Sequence, residues 1–157
     1  MPTYVCTVTG KKLNAGQKRE IAAEITRAHS ALTGAPRSFA QLYFLEPKAG
    51  DHFVGGVPAK LEMAFVRGEI RAGRTGVVKR KLLQEIVTAV SRICRIPAAG
   101  VWVYLNELPA GQMAEYGRVL PEPGGEAEWM AALPAETQER MAGAVRAAGR
   151  RGTRRQR

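Results

Sequence analysis

Two copies of one βαβ unit, joined in a single mixed four-stranded sheet with both helices on one face, form the α+β architecture that this sequence predicts. Three observations carry that prediction. Sliding the chain on itself by 61 positions, without a gap, aligns Lys18-Arg19 with Lys79-Arg80, Glu24-Ile25 with Glu85-Ile86, Ala28 with Ala89, Pro36 with Pro97, Tyr43 with Tyr104 and Glu46 with Glu107. Such self-similarity marks a duplicated supersecondary unit, here about 2–60 and 61–121. Within each copy a β-rich run, a helical stripe and a second apolar run follow in order, and a crossover through a helix makes the two strands parallel. The length of 157 residues and the 45% hydrophobic content suit one domain around one core.

In the first copy, residues 4–8 read as a strand. Asn14 can cap a helix whose Ile21, Ile25, Ala28 and Leu32 recur at helical spacing, Gly34 and Pro36 stop it, and residues 42–45 form the return strand. In the second copy the strand covers 63–66, Thr75 is the cap, Leu82, Ile86, Val90 and Ile93 form the stripe, and 101–105 return. Both return strands are unbroken apolar runs rather than alternations, which predicts burial on both faces. The stretch 126–148, with Trp129, Met130 and Leu133, is too short to cover a whole sheet face. Self-association of sheets around a common axis is therefore expected.

The formal charge of +10 raises the question of nucleic acid, so its placement matters. Arg146, Arg150, Arg151, Arg154, Arg155 and Arg157 have no acid among them and leave only +4 on residues 1–145. The sequence thus reads as a domain over 1–145 and a basic, disordered tail over 146–157, able to touch RNA or acidic surfaces only weakly. No stretch has the twenty or so apolar residues of a membrane span, and residues 1–12 lack the pattern of a signal peptide, so a cytoplasmic protein without membrane attachment is expected. Cys6 and Cys94 have neither disulfide-framework nor zinc-site spacing and read as small buried residues.

Several residue types suggest chemistry. Arg71 and Arg74 flank the entry to the second helix, where the macrodipole is already positive; a bound carboxylate or phosphate would explain them, and so would exposure to water. His29 borders the first helix's apolar stripe, either as a donor into a pocket or as a packed or dipole-stabilised residue. His52 reads as loop. Tyr104 sits near the end of an apolar strand and Glu115 just beyond it; a phenol and a carboxylate together can activate water, although each alone reads as a strand aromatic or a surface acid. Pro2, once Met1 is removed, is a free secondary amine that titrates near neutrality and can serve as acid, base or nucleophile.

Pro2 opening a strand, followed by two βαβ copies, resembles the tautomerase superfamily. The series Pro2, Ala28-His29, Arg71-Ala72-Gly73-Arg74, Val101-Trp102-Val103-Tyr104 and Met113-Ala114-Glu115-Tyr116-Gly117-Arg118, with Leu120-Pro121 and Pro123-Gly124, resembles the cis-3-chloroacrylic acid dehalogenase family. The likeness runs from residue 2 to about 133 and excludes the basic tail. It implies a trimer without metal or organic cofactor. It also implies that Pro2 donates a proton, that Arg71, Arg74 and His29 hold the carboxylate of a small substrate, and that Tyr104 and Glu115 activate water. The implied reaction is hydration of a three-carbon unsaturated acid: water attacks C3 while Pro2 protonates C2, and a halogen at C3 is lost as the adduct collapses to malonate semialdehyde. Ala35 and Phe39 stand where that pattern has Thr and Leu, and Ala35-Pro36 resembles homologues with poor dehalogenase activity. Two other readings are a keto-enol tautomerase of a 2-oxo acid, with neutral Pro2 as base, and a non-catalytic oligomeric binder using the tail. Arg71 and Arg74 lower the amine's pKa and Glu115 raises it, so a close Glu115 favours the ammonium and hydration.

Overall fold

A computed structural model describes the backbone of residues 2–152 and the side chains of residues 2–143. In chain order the elements are β1 (Thr3–Thr9), α1 (Ala15–Thr33), β2 (Gln41–Leu45), β3 (Phe53–Val54), β4 (Val57–Pro58), β5 (Met63–Arg71), α2 (Gly76–Cys94), β6 (Val101–Leu108), β7 (Ala114–Glu115), β8 (Arg118–Val119), α3 (Glu126–Ala131) and α4 (Ala135–Gly152). The main sheet has the order β2-β1-β5-β6. Its outer pairs are parallel and its central pair, β1 with β5, antiparallel, so two βαβ units share one mixed sheet.

The repeat is physical as well as textual. The bounds of α1 and α2 differ by 61 positions at both ends. The aligned ion pairs Lys18–Glu46 and Lys79–Glu107 each close at 2.6 Å. Asn14 forms a reciprocal capping box with Gln17, Thr75 caps the amide of Val78, and Gly34 ends α1 in the left-handed region at φ 73. Ile21, Ile25 and Ala28 of α1, with Leu82, Ile86, Val90 and Ile93 of α2, pack against Tyr4, Cys6, Val8, Ala64, Val66, Ile70 and Val101 in one core. Cys6 and Cys94 are free thiols buried there.

β5 continues past the predicted 63–66 to Arg71 because Arg67 and Glu69 occupy the face away from the helices, where polar residues do not interrupt the ladders to β1 and β6. That face is open in the single chain: Tyr43, Leu45, Trp102 and Tyr104 are each about half exposed. The segment beyond β6 does not cover it. Instead Ala110, Met113, Leu120, Trp129, Leu133 and Met141 gather with Phe39 in a second apolar cluster. The backbone of α4 runs helical to Gly152, into the segment expected to be a disordered tail from residue 146. Its Ala and Arg content favours helix. Residues 153–157 lie outside the described residues. Among the described residues no helix is long and apolar enough to cross a membrane.

Candidate active site

The sheet's register brings the candidate residues together from distant parts of the sequence. Thr3 lies opposite Glu69 in the antiparallel pair, so the start of β1 meets the end of β5, and Pro2 shares a cleft with Arg71. The amide of Gln41 donates to the Pro2 carbonyl at 3.1 Å, which draws the loop after α1 to the same edge. Pro2, His29, Ala35, Phe39, Arg71, Arg74, Leu120, Pro121 and Glu126 line one cleft. Four of the six predicted site residues are among them. Ala35 and Phe39, the departures from the dehalogenase pattern, also line it.

His29 is buried, and Tyr4 explains its state. The Tyr4 hydroxyl lies 2.7 Å from His29 Nδ1, with the rings edge to face at 5.9 Å. Burial pushes the Tyr4 phenol well above its ordinary range. Burial, the Arg74 charge and the amino terminus push His29 down to about 4. Both groups are therefore neutral near pH 7. Tyr4 is fully buried and has His29 as its partner among the described residues, so the arrangement that satisfies the phenol has it donating to Nδ1. The ring proton then sits on Nε2. His29 thus offers the cleft a neutral N–H, where a free histidine near a helix end would offer a partial positive charge.

Arg71, at the end of β5, is 7% exposed. Its Nη1 donates to the Pro121 carbonyl at 2.7 Å and its Nη2 forms an ion pair with Glu126. Arg74 stands just ahead of the Thr75 cap. Burial lowers its pKa, and the neighbouring Arg71 adds to this, while Glu126 and Glu107 oppose it. The Nε atoms of both arginines are buried without a hydrogen-bond partner. A buried guanidinium N–H left unpaired is costly, and an anion accepting from it would remove that cost.

Glu115 reaches this end of the molecule on the β7–β8 hairpin, where Tyr116 and Gly117 both take positive φ, at 51° and 77°, as a tight two-residue turn requires. Arg118 anchors the hairpin to the Ala132 carbonyl at 2.6 Å, and Trp129 Nε1 donates to the Val119 carbonyl at 2.7 Å. Burial raises the Glu115 carboxyl above its ordinary range, opposed by the charge of the amino terminus and a hydrogen bond from it. The terminus therefore acts on both His29 and Glu115. Met1, whose removal would pass the amine to Pro2, lies outside the described residues.

Tyr104 is elsewhere. It is 55% exposed on the open face of the sheet, edge to face with Phe65 at 5.1 Å, and does not line the cleft of its own chain. His52, read as loop, is 3.0 Å from the Thr9 hydroxyl. Sequence reasoning missed Tyr4 and Glu126. Tyr4 carried no signal apart from its place in an apolar strand, and Glu126 only its position at the start of a short amphipathic stretch.

Residues 1–132 match the family model Tautomerase_3, described as "Putative oxalocrotonate tautomerase enzyme". The crystal structure of N1, a member of the cis-3-chloroacrylic acid dehalogenase family, superposes with a TM-score of 0.83 at 35% identity, covering 89% of this chain and 98% of that one. The probable tautomerase gbs1111 of Streptococcus agalactiae serotype III (strain NEM316) is 32% identical over 57 residues, 36% of this chain and 95% of that protein. Its whole length thus corresponds to about one βαβ unit. A fused 4-OT solved as a symmetric trimer shares the fold, with a TM-score of 0.68 at 23% identity over 75% of this chain and 94% of that one. The chain belongs to the Tautomerase_3 family of the tautomerase superfamily and is related to the cis-3-chloroacrylic acid dehalogenase family.

Proposed function

We propose that the chain, once Met1 is removed, hydrates a small three-carbon unsaturated carboxylate, with weak dehalogenation of a 3-halogenated one. The observation that carries this reading is the convergence of Pro2, His29, Arg71 and Arg74 on one cleft, with Glu115 acting on the amino terminus beside it. Arg71, Arg74 and the His29 Nε2–H take the carboxylate and draw electron density away from the double bond. Glu115 receives a proton from water as the oxygen attacks C3, and the Pro2 ammonium delivers its proton to C2. With a halogen on C3, the adduct loses halide and a proton to give malonate semialdehyde. Ala35 and Phe39, which stand where the dehalogenase pattern has Thr and Leu, both line the cleft and support weak rather than efficient dehalogenation.

Likeness to the probable tautomerases favours a second reading, in which neutral Pro2 moves a proton between carbon and oxygen of an enolic 2-oxo acid. The two readings differ in the amine. Glu115 stabilises the ammonium, so an NMR titration of the Pro2 nitrogen is expected to place its pKa above neutrality; a value well below would favour the tautomerase. Assays against 3-haloacrylates, acetylenic acids and phenylenolpyruvate complete the test. Pro2→Ala is expected to abolish hydration and tautomerisation, whereas Glu115→Gln abolishes hydration alone. Because Glu115 is raised from 4.5, the acid limb of kcat/KM for hydration should lie above that value. Full hydration activity in Pro2→Ala would overturn the enzymatic assignment of this residue.

Tyr104 enters this reading through assembly. We take the chain to form a homotrimer, as the fused 4-OT does, with the open sheet face packed against a second copy and Tyr104 presented to that copy's cleft.

A further inference from the structure

The cleft contains one ionised side chain that hydration does not use. Glu126 opens α3, 55 residues after the Arg71 it pairs with. Its other carboxylate oxygen accepts the Gly124 amide at 2.8 Å. Burial would raise its pKa, yet the bonds from Arg71 and the nearby amides hold the carboxyl below its ordinary range. The charge reaches further than Arg71, since it also opposes the lowering of the Arg74 pKa.

Together the observations describe a charge balance. Arg71 and Arg74 bring two positive charges to the cleft and Glu126 returns one negative charge. His29 is neutral, Lys79 offsets Glu107 at 2.6 Å, and Glu115 offsets the terminal ammonium. One net positive charge remains, beside two buried Nε–H groups without partners. One carboxylate neutralises that seat, whereas a second carboxylate on the same ligand would meet Glu126 with no cation to spare.

We propose that Glu126 sets the charge selectivity of the cleft: paired with Arg71, it reduces two arginines to a seat for a single carboxylate, so that monocarboxylates bind and dicarboxylates of similar size are rejected. The proposal rests on the carboxylate-binding reading given above and adds the charge of the substrate to it. Glu126 is a specificity-determining residue, distinct from the groups that move protons.

Acrylate and maleate test it, because they differ by one carboxylate on C3. Binding to the full, Met1-processed protein is followed by NMR of the arginine Nε–H signals, at a pH where maleate carries both charges. The wild type is expected to prefer acrylate by about tenfold, the scale of one unit charge acting across a partly solvated cleft. Glu126→Gln keeps the side chain's size and an oxygen for Arg71, and should erase or invert that preference. Glu126→Asp should retain it. Glu128→Gln makes the same change in net charge at an exposed position of α3 and should leave the ratio unaltered. The proposal is overturned if the wild type takes maleate as tightly as acrylate, or if Glu126→Gln weakens both ligands equally, as a purely structural role would. Should Glu126→Gln fail to fold, the wild-type ratio and Glu126→Asp decide the matter. No response of the arginine signals to either ligand would instead remove the carboxylate seat on which the proposed function depends. A normal response with a ratio indifferent to Glu126 would remove this proposal alone.

Discussion

Tyr4 acts on the cleft without lining it. Its phenol holds His29 Nδ1 at 2.7 Å and so chooses which ring nitrogen carries the proton. Tyr4→Phe removes that choice while preserving the ring's packing. A rise in KM of roughly threefold to tenfold with little change in kcat is expected, the scale of one hydrogen bond. Nitrogen NMR of His29 should change from a single Nε2–H tautomer to a mixture; an unchanged spectrum would show that Tyr4 only packs. The low His29 pKa also affects stability. The folded state holds it near 4 against 6.5 for the free side chain, so the unfolded chain binds more protons between those values. Stability is unaffected by His29 above 6.5 and is lost progressively as the pH falls toward 4, with a limiting cost of about 3 kcal/mol. Thermal melts at several pH values should show His29→Gln losing less stability than the wild type on acidification. A parallel loss in both would refute the assignment.

At the scale of elements, the central strand pair depends on a glycine. Gly68 lies opposite Tyr4, and a Cβ there would stand 2.5 Å from Tyr4 Cε1 and 2.9 Å from Leu105 Cδ2. Gly68→Ala must therefore displace the tyrosine that orients His29, with an expected loss of about 1–3 kcal/mol in denaturant unfolding and a KM shift resembling that of Tyr4→Phe. Wild-type stability in Gly68→Ala would show that the ring yields freely. This dependence also marks the limit of what the sequence discloses. Helix stripes and caps are local, so Ile21, Ile25, Asn14 and Thr75 reveal them directly, and the 61-position repeat carries one unit's reading over to the other. Strand ends are less legible, because Arg67 and Glu69 look like an interruption until the open face of β5 is known. Arg71, Arg74 and His29 were legible as unusual residues in unusual places. Tyr4 and Glu126 were not, because their roles depend on partners 25 and 55 residues away.

For the whole molecule, the open sheet face and the missing tyrosine pose the same problem. Tyr43 and Leu45 on β2 and Trp102 and Tyr104 on β6 place large side chains, each between 46% and 55% exposed, at the two edges of the face opposite the helices, with Val5, Thr7, Phe65 and Arg67 between them. Exposed apolar side chains of this size favour association, and α3 and α4 are committed to the cluster around Phe39 and Trp129. Trp102→Glu places a charge on that face and should convert the proposed trimer into smaller species by light scattering; an unchanged mass would locate the interface elsewhere. Assembly also decides where Tyr104 works. If it serves the cleft of a neighbouring copy, a site needs Pro2 from one chain and Tyr104 from another. Pro2→Ala and Tyr104→Phe chains, each poorly active alone, should then regain activity when unfolded together and refolded as mixed trimers. Some mixed sites would combine the intact Pro2 of one variant with the intact Tyr104 of the other. If Tyr104 served its own chain's cleft, every site in the mixture would keep one defect and mixing would restore nothing.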